Sequence, residues 1–437
     1  MAIKIGLLVI TLLISRESAQ AHQDVLESAK NDVKVLSSAQ YDGRGFVDEG
    51  HRKAADYIKK RFKDIGLSRV GISWMQEFEV AANILHNTHF IMNGDSLEPG
   101  IDFVPYATTG AGSAKEVESI LYAEQGLFIP DLQINQLPIY SAQEAILVMD
   151  NSFPDSLTQH RKSNAIFYSK SYRIQAAQAL KAQAVVFLSS SLSHEPAVYQ
   201  HNIPAFNIQD TAWPMELSNI SYSVDAKFDT LQTQNVIGKI EGTQEPDSII
   251  LLSAHYDHFG KITHQKYFPG ANDNASGVAM LLSLAEYFVE HPPDYTLVFA
   301  AFGAEELGLK GSEYFAANPF FNLNNVKFLI NYDMVASGTN GIVAVGGKEH
   351  AGHFKKLKRL GQSLQISPIK ARENAPISDH YPFLIRDIAG FYLYTNEGDQ
   401  PYHHINDKYE TLEWDDFNDV YKLSVEFISS LTLPENN

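Results

Sequence analysis

The chain has 437 residues, of which 44% are hydrophobic, so it is long enough for two domains of ordinary size with a large core. Its formal net charge of −18 at pH 7 argues against general binding to nucleic acids or to anionic membrane surfaces. The sequence contains no cysteine, which excludes disulfide bonds and thiolate metal sites, so any metal site must be built from His, Asp and Glu.

The first 21 residues have the three-part pattern of a signal peptide. Lys4 supplies a positive charge, residues 5–14 form an apolar run, and Ala19-Gln20-Ala21 has the small-x-small pattern of a cleavage site. A run of 10 residues is too short to span a bilayer. We therefore expect an exported protein, periplasmic or extracellular after cleavage near Ala21, with no stable membrane insertion and no nucleic-acid partner.

Two helices and a hairpin are predicted next. Residues 24–38 have helical character, and residues 49–65 place apolar side chains along one face of a second helix. Arg44, between them, is predicted to form a structural salt bridge. Residues 70–106 alternate between polar and apolar around Asn93-Gly94, a pattern that is typical of a β-hairpin.

Residues 115–227 differ from the rest of the chain because they contain no cluster of catalytic side-chain types. We predict short strands and one alanine-rich helix in this stretch: strands over residues 145–149, 165–168 and 185–188, and a helix over residues 172–181. This pattern predicts a small α/β domain, residues 115–230, inserted between the two parts of a larger domain, residues 22–114 and 231–437.

The stretch from residue 249 to residue 306 contains a dense group of metal-ligand side chains. Two apolar runs, 249–254 and 296–302, have the length of buried strands, and a helix is predicted between them from about residue 278. The strands are therefore expected to be parallel neighbours, and ligands bind at the carboxyl ends of such strands. Five polar residues follow the strands or lie on the loop between them: His255, Asp257, Asp273, Glu305 and Glu306.

Two later strands also lead to residues of metal-ligand type. The run 326–334 is predicted to be a buried strand that reaches Asp333, and the last apolar strand, 388–395, leads toward His403 and His404. The remaining predicted elements are a strand over residues 341–345 and helices over residues 309–317, 350–364 and 414–431. The alternation of strands and helices predicts an α/β fold.

Zinc accepts imidazole and carboxylate ligands and keeps one position open in catalytic sites. Five candidate ligands are too many for one such ion but fit two ions that share a carboxylate: His255, Asp273, Glu306, Asp333 and His403. Asp273 is the expected bridge because it lies on the connection between the two central strands. One zinc would then bind His255, Asp273 and Asp333, and the other Asp273, Glu306 and His403.

Two further carboxylates are predicted to act beside these ligands. Glu305 is adjacent to the ligand Glu306 and remains free to take a proton from the attacking water and pass it to the leaving amine. Asp257, two residues after His255 on an extended chain, is predicted to accept the second imidazole N–H of that histidine and so fix its tautomer.

Together these motifs resemble the di-zinc exopeptidase family of clan MH: His-x-Asp at residue 255, Gly-Ala-Asn-Asp-Asn-Ala-Ser-Gly at 270, Ala-Glu-Glu-Leu-Gly at 304, Asn-Tyr-Asp-Met at 331 and Tyr-His at 402. The resemblance implies a three-layer fold with a central mixed, mostly parallel sheet, two zinc ions and the ligand roles given above. Residues 115–227 resemble the protease-associated domain that is inserted in many members. The family pattern of Tyr-His followed four residues later by Asp407 selects His403 rather than His404.

The residues and the resemblance together predict an exported zinc-dependent exopeptidase, most simply an aminopeptidase that acts on peptides with a free N-terminus. A carboxypeptidase of the glutamate-carboxypeptidase type would share the chemistry but would bind a terminal carboxylate through Arg or Lys. A glutaminyl cyclase is disfavoured because a one-zinc site does not need five ligands. A non-catalytic, receptor-like relative is disfavoured because the ligands and Glu305 are all present.

Overall fold

The structure is a computed structural model that describes residues 25–152, 165–338, 340–396 and 401–431. The predicted signal peptide lies outside these residues. No helix in the described ranges combines the length and the apolar character that are needed to cross a lipid bilayer.

The helices and strands alternate through most of the chain. In chain order the strands are β1 (Ser68–Arg69), β2 (Met75–Met92), β3 (Asp95–Ser96), β4 (Phe103–Pro105), β5 (Gly112–Val117), β6 (Ile120–Tyr122), β7 (Phe128–Ile129), β8 (Ile134–Asn135), β9 (Ile146–Asp150), β10 (Ala184–Ser189), β11 (Ala205–Gln209), β12 (Ile220–Ile240), β13 (Glu245–His255), β14 (Tyr295–Phe302), β15 (Val326–Tyr332), β16 (Ile342–Val345), β17 (Ile369–Arg372) and β18 (Gly390–Thr395). The helices are α1 (25–36), α2 (Gly50–Ile65), α3 (Ala165–Tyr168), α4 (Lys170–Ala179), α5 (Gly277–Glu290), α6 (Lys310–Ala317), α7 (Ala351–Ser363), α8 (Tyr381–Leu384) and α9 (Asp415–Leu431).

A large mixed sheet has the strand order β17-β16-β18-β15-β13-β14-β12-β2-β3, and β1 and β5 also pair with β12. At its centre β13 is parallel to both β14 and β15, and β15 is parallel to β18. The carboxyl ends of these four strands therefore meet at one edge. The inner strands are apolar along most of their length, as expected for parallel strands that are covered on both faces.

Helices cover both faces of the large sheet. One face packs against side chains from five helices: Val33 of α1, Phe62 of α2, Leu281 of α5, Leu357 of α7 and Phe427 of α9. On the other face, Phe315 of α6 and Phe383 of α8 pack against Leu251 and Val298 of the strands. The result is the three-layer α/β arrangement that the sequence predicts.

A second, smaller sheet has the order β4-β11-β10-β9-β6 and is parallel except for β4. One side of this sheet packs against Ile174 and Ala177 of α4. Its other side packs against Phe90 of β2 and Tyr222 of β12. Two strands of the large sheet thus form a wall of the second core.

The strand β12 runs without interruption for 21 residues and contributes to both cores. Ile220, Tyr222 and Val224, near its start, are buried against the second sheet. Val236, near its end, is buried in the core of the large sheet. The predicted domain boundary at residue 230 lies inside this strand, and the division into domains remains a prediction.

Most predicted elements are confirmed to within a few residues. Gly66 ends α2 with φ 105°, and Asn93-Gly94 joins the antiparallel strands β2 and β3. The strand predicted over residues 165–168 is wrong, because these residues form α3. A run of four residues is too short to show a period, and the chain continues into α4, where the Ser169 hydroxyl accepts the N–H of Tyr172.

Candidate metal centre

The structure brings the predicted site residues to one edge of the large sheet. His255 is the last residue of β13, and Asp333 directly follows β15. Glu305 and Glu306 follow β14, Asp273 lies on the turn Ala271–Ser276 before α5, and His403 lies on the segment after β18. The hydrogen bonds of the parallel ladder bring these strand ends together.

Asp273 faces two histidines with its two carboxylate oxygens. Its Oδ1 lies 3.4 Å from Nε2 of His255, and its Oδ2 lies 3.4 Å from Nε2 of His403. His255 Nε2 is also 3.5 Å from Oδ1 of Asp333. Two ligands of one tetrahedral zinc lie about 3.3–3.6 Å apart when each bond is about 2.0–2.2 Å long. The measured distances match this spacing on both sides of Asp273.

Glu306 and Glu305 approach the same histidine from β14. One carboxylate oxygen of Glu306 lies within 4.8 Å of ligand atoms of both His255 and Asp273. One carboxylate oxygen of Glu305 lies within 4.8 Å of ligand atoms of both His255 and Asp333. All of the predicted ligands except His403 therefore belong to one of these two groups, and His403 joins them through Asp273.

His255 has the tautomer that a metal ligand requires. Its Nδ1 lies 3.2 Å from the main-chain oxygen of Asp257, which can only accept, so Nδ1 donates and the lone pair is on Nε2. The carboxylate of Asp257, the acceptor expected from the sequence, is 3.9 Å from Nδ1. The carboxylate instead accepts the main-chain N–H groups of Glu305, at 3.0 Å, and Glu306, at 3.3 Å.

His258 is a site residue that the sequence analysis missed. Its Nδ1 lies 2.7 Å from Oε1 of Glu306, and the ring is fully buried. An ionised carboxylate only accepts, so His258 donates and fixes one oxygen of Glu306, which leaves the other oxygen for a metal. The signal in the sequence is the position of this histidine in His-Tyr-Asp-His, next to two predicted site residues.

The turn that carries Asp273 is held by Asp407. The carboxylate of Asp407 accepts the N–H groups of Asn272, at 2.8 Å, and Asp273, at 3.0 Å. The amide oxygen of Asn272 accepts the N–H of Ala336, which attaches the turn to the segment after β15. Asp407 therefore orients the proposed bridging residue through its backbone.

A second supporting group lies beneath Asp333. The Ser378 hydroxyl donates to Oδ2 of Asp333 at 2.7 Å and accepts from the side chain of Asn331 at 2.8 Å. The neighbouring Asp379 is fully buried, and this burial raises its pKa to about 7. The segment 378–383 thus contacts a candidate ligand directly.

His404, the alternative to His403, has a different role in the structure. Its Nδ1 accepts the main-chain N–H of Asn406 at 3.1 Å, so this nitrogen stabilises the local turn. His403 is the neighbour that faces Asp273, and Tyr402 stacks on its ring with the centroids 3.6 Å apart. Of the two neighbours, His403 is therefore the one that faces Asp273, and its role as a ligand remains a prediction.

The electrostatics of the cluster fit a bound cation. Burial raises the pKa of Glu306 well above its usual value, and the neighbouring carboxylates of Asp273 and Glu305 raise it further. Burial likewise raises the pKa of Glu305. Burial disfavours the charged form of His255, but Glu305 and Asp333 outweigh it, so the pKa of His255 is well above its usual value. Buried carboxylates that raise one another's pKa, and the pKa of a neighbouring imidazole, are stabilised as anions by a bound cation.

Comparison with known proteins finds a family that matches the part of the chain that carries this cluster. Residues 235–428 match the model of peptidase family M28. In this segment the chain is similar to peptidase family M28. The matched segment begins in β12, ends in α9 and includes every candidate ligand named above.

Fungal zinc metalloproteases are among the curated relatives that the chain matches. A probable zinc metalloprotease from Pyrenophora teres f. teres is 36% identical over 107 residues, which are 24% of this chain and 22% of the relative. A probable zinc metalloprotease from Pyricularia oryzae is 38% identical over 114 residues, which are 25% of this chain and 22% of the relative. The chain thus spans about a fifth of the length of these relatives.

Solved structures extend the similarity of fold beyond the M28 segment. A zinc aminopeptidase from Bacillus subtilis aligns with a TM-score of 0.68 and 18% identity over 94% of this chain and 96% of that one. An M28 peptidase precursor from Shewanella amazonensis SB2B aligns with a TM-score of 0.71 and 18% identity over 96% of this chain and 97% of that one. These alignments confirm the predicted fold class.

Proposed function

We propose that this chain is an exported zinc-dependent aminopeptidase with two zinc ions in the cluster at the carboxyl ends of β13, β14 and β15. The observation that carries the proposal is the position of Asp273, whose two oxygens face Nε2 atoms of two different histidines at 3.4 Å. One carboxylate with a separate histidine at each oxygen has the donor arrangement of a bridging ligand. The match to peptidase family M28 supports a peptidase, and the names of the fungal relatives support zinc.

Five residues would hold the two ions: His255, Asp273, Asp333, Glu306 and His403. When bound, the zinc ions supply Lewis acidity that makes water a stronger nucleophile and polarises the peptide carbonyl. Glu305 is then the general base, because its carboxylate reaches the cluster while its neighbour Glu306 is held by His258. The carboxylate of Glu305 takes a proton from the attacking water and gives it to the amine of the departing peptide.

The charge around the cluster favours a substrate with a free amino group. Glu305, Asp333 and the buried Asp379 present carboxylates to the site. Two nearby cations are already engaged, since Arg44 donates to main-chain carbonyls and Lys261 pairs with Asp42 at 2.7 Å. Carboxylates that the zinc ions leave free can accept a cationic α-amino group, whereas these two engaged cations offer no site for a terminal carboxylate.

Export is part of the proposal and rests on the signal-peptide pattern of residues 1–21. A zinc aminopeptidase from Bacillus subtilis and an aminopeptidase from Aneurinibacillus share the fold, with TM-scores of 0.68 and 0.64. A relative from Schizophyllum commune, 35% identical over 123 residues, is a vacuolar membrane protease of which this chain covers 13%. The aminopeptidase fold with a leader sequence favours a soluble exported enzyme.

The test uses one peptide in free, N-acetylated and C-amidated forms, followed by mass spectrometry. We expect the free and the amidated forms to lose residues one at a time from the N-terminus and the acetylated form to remain intact. A zinc chelator should stop the reaction, and added zinc should restore it. Cleavage that requires a free C-terminus would instead indicate a carboxypeptidase, and cleavage of both blocked forms at internal bonds would exclude an exopeptidase.

A further inference from the structure

The loop after β10, from the second sheet, reaches the loops of the metal centre. His194 on this loop is buried, with 5% of its surface exposed. Its ring stacks on Phe268, with the centroids 5.0 Å apart and the planes 8° apart. Its main-chain N–H points to the carbonyl oxygen of His403 at 3.5 Å. A residue from the second sheet thus contacts the segment that carries a proposed ligand.

Phe259 connects His194 with two imidazoles of the centre. The ring of His194 meets Phe259 edge to face, with the centroids 5.9 Å apart. Phe259 in turn meets the ring of His403 at 4.6 Å and 90°, and it stacks on His258 at 4.2 Å. Because these rings are in contact and Phe259 is buried, a change in the position of Phe259 would be transmitted to His403.

The ring of His403 depends on packing more than the ring of His255 does. His255 donates its Nδ1–H to the carbonyl of Asp257, which fixes its orientation. In the described ranges of the chain, the polar side-chain contact of His403 is the one to Asp273. The other contacts that orient its ring are aromatic, with Tyr402 on one face and the edge contact with Phe259.

We propose that His194 is a positioning residue for the metal centre: it holds Phe259 and the His403 segment so that His403 Nε2 faces Asp273. The second sheet would then contribute to metal binding without supplying a ligand. This inference rests on the proposed function, because it takes His403 as a zinc ligand. It gives the second sheet, for which the sequence suggests no role, a specific role in the metal centre.

The test measures zinc release rather than turnover. Wild type and variants are loaded with zinc, mixed with a chromophoric chelator, and followed by stopped flow. In His194→Ala we expect one of the two ions to leave about 10–100-fold faster, the usual effect of losing a group that orients a ligand, while the other ion is unchanged. His194→Phe keeps a flat ring against Phe268 and should release both ions at nearly the wild-type rates.

His201→Ala is the matched control. His201 is also buried and lies on the same loop between β10 and β11, where it contacts the Ser171 hydroxyl at 3.2 Å. We expect His201→Ala to leave the rate of zinc release unchanged. If His194→Ala does not fold, His194→Leu replaces it with the same expectation. The inference would be overturned if His194→Ala, or His194→Leu in its place, released zinc at the wild-type rates. It would also be overturned if His201→Ala released zinc as fast as His194→Ala. A wild-type protein that fails to bind two zinc ions would overturn the proposed function instead.

Discussion

At the scale of single residues, the site depends on how each carboxylate divides its two oxygens between partners. Asp273 directs one oxygen to His255 and the other to His403. Glu306 uses one oxygen for His258, and Asp333 uses one for Ser378. Each of the last two carboxylates therefore has one oxygen held by the protein and one that remains for a metal. This division orients the ligands before an ion binds.

The two adjacent glutamates allow the roles of base and ligand to be separated. In Glu305→Gln we expect zinc content and stability to be unchanged and kcat to fall by about 10²–10⁴-fold, because the amide cannot take the proton. In Glu306→Gln we expect one zinc to be lost as well. Steady-state kinetics with metal analysis of each purified variant gives the answer. Glu313→Gln, at an exposed position of α6, is the control that should retain full activity.

A Glu305→Gln enzyme that turns over at close to the wild-type rate would show that another group accepts the proton. Asp379 would then be the first residue to examine, because it is buried beside the site with a pKa of about 7.

The roles of Asp257 and His258 show where residue patterns stop being informative. Alternation along an extended strand predicts that Asp257 and His255 point to the same side. The strand β13 ends at His255, however, and the chain then leaves the extended path. After this bend the Asp257 carboxylate faces the backbone of Glu305, and His258 faces Glu306. Residue patterns predict that Asp257 lies beside His255, but they cannot give partners that lie on another strand.

At the scale of secondary-structure elements, the sequence was most informative where apolar runs are long. The parallel pair β13 and β14 and the helix α5 between them were predicted because buried strands and an amphipathic helix have distinct periods. The short helix α3 and the double role of β12 were not predicted. The four residues of α3 are too few to show a hydrophobic period. The middle of β12, from Lys227 to Gln232, is exposed, so its sequence resembles a linker between domains.

Arg44 joins elements that are distant in sequence, and its partners are not those expected. A salt bridge was predicted, but the buried guanidinium donates to five main-chain carbonyls: Leu36, Tyr256, Pro269, Gly270 and Asp273. These carbonyls belong to the end of α1, to the segment after β13 and to the turn of the bridging residue. One side chain therefore satisfies three pieces of irregular backbone beside the metal centre.

We expect Arg44→Lys to destabilise the protein by about 3–5 kcal/mol, the scale seen when a buried charge loses its partners. The ammonium group has three donors on one atom and cannot reproduce the planar arrangement that reaches these separate carbonyls. Urea denaturation of the chelated proteins measures the loss without a contribution from zinc. Arg52→Lys, at a half-exposed position of α2, should change stability by less than about 1 kcal/mol. Similar stabilities for the two variants would mean that the carbonyls of Arg44 find other partners.

At the scale of the whole molecule, the metal centre connects parts of the chain that are far apart in sequence. The candidate ligands extend from His255 to His403, and they gather at the edge where the strands in the middle of the large sheet end. Without a cation, several buried carboxylates repel one another in a protein whose net charge is already −18. Bound zinc would therefore stabilise the fold in addition to its chemical role.

Removal of zinc should lower the stability of the entire chain. A ligand that binds only the folded state at about 1,000 times its Kd adds about 4 kcal/mol of stability. We expect the protein to contain close to two zinc ions per chain by elemental analysis, to melt at a lower temperature after chelation, and to recover its Tm when zinc is returned. Asp273→Ala removes the proposed bridge, so it should bind neither ion tightly and show little response of Tm to zinc. Asp229→Ala, at a partly exposed position of β12, should respond as wild type does. A wild-type protein with one tightly bound ion that Asp273→Ala retains would contradict the bridge, because both sites need that carboxylate.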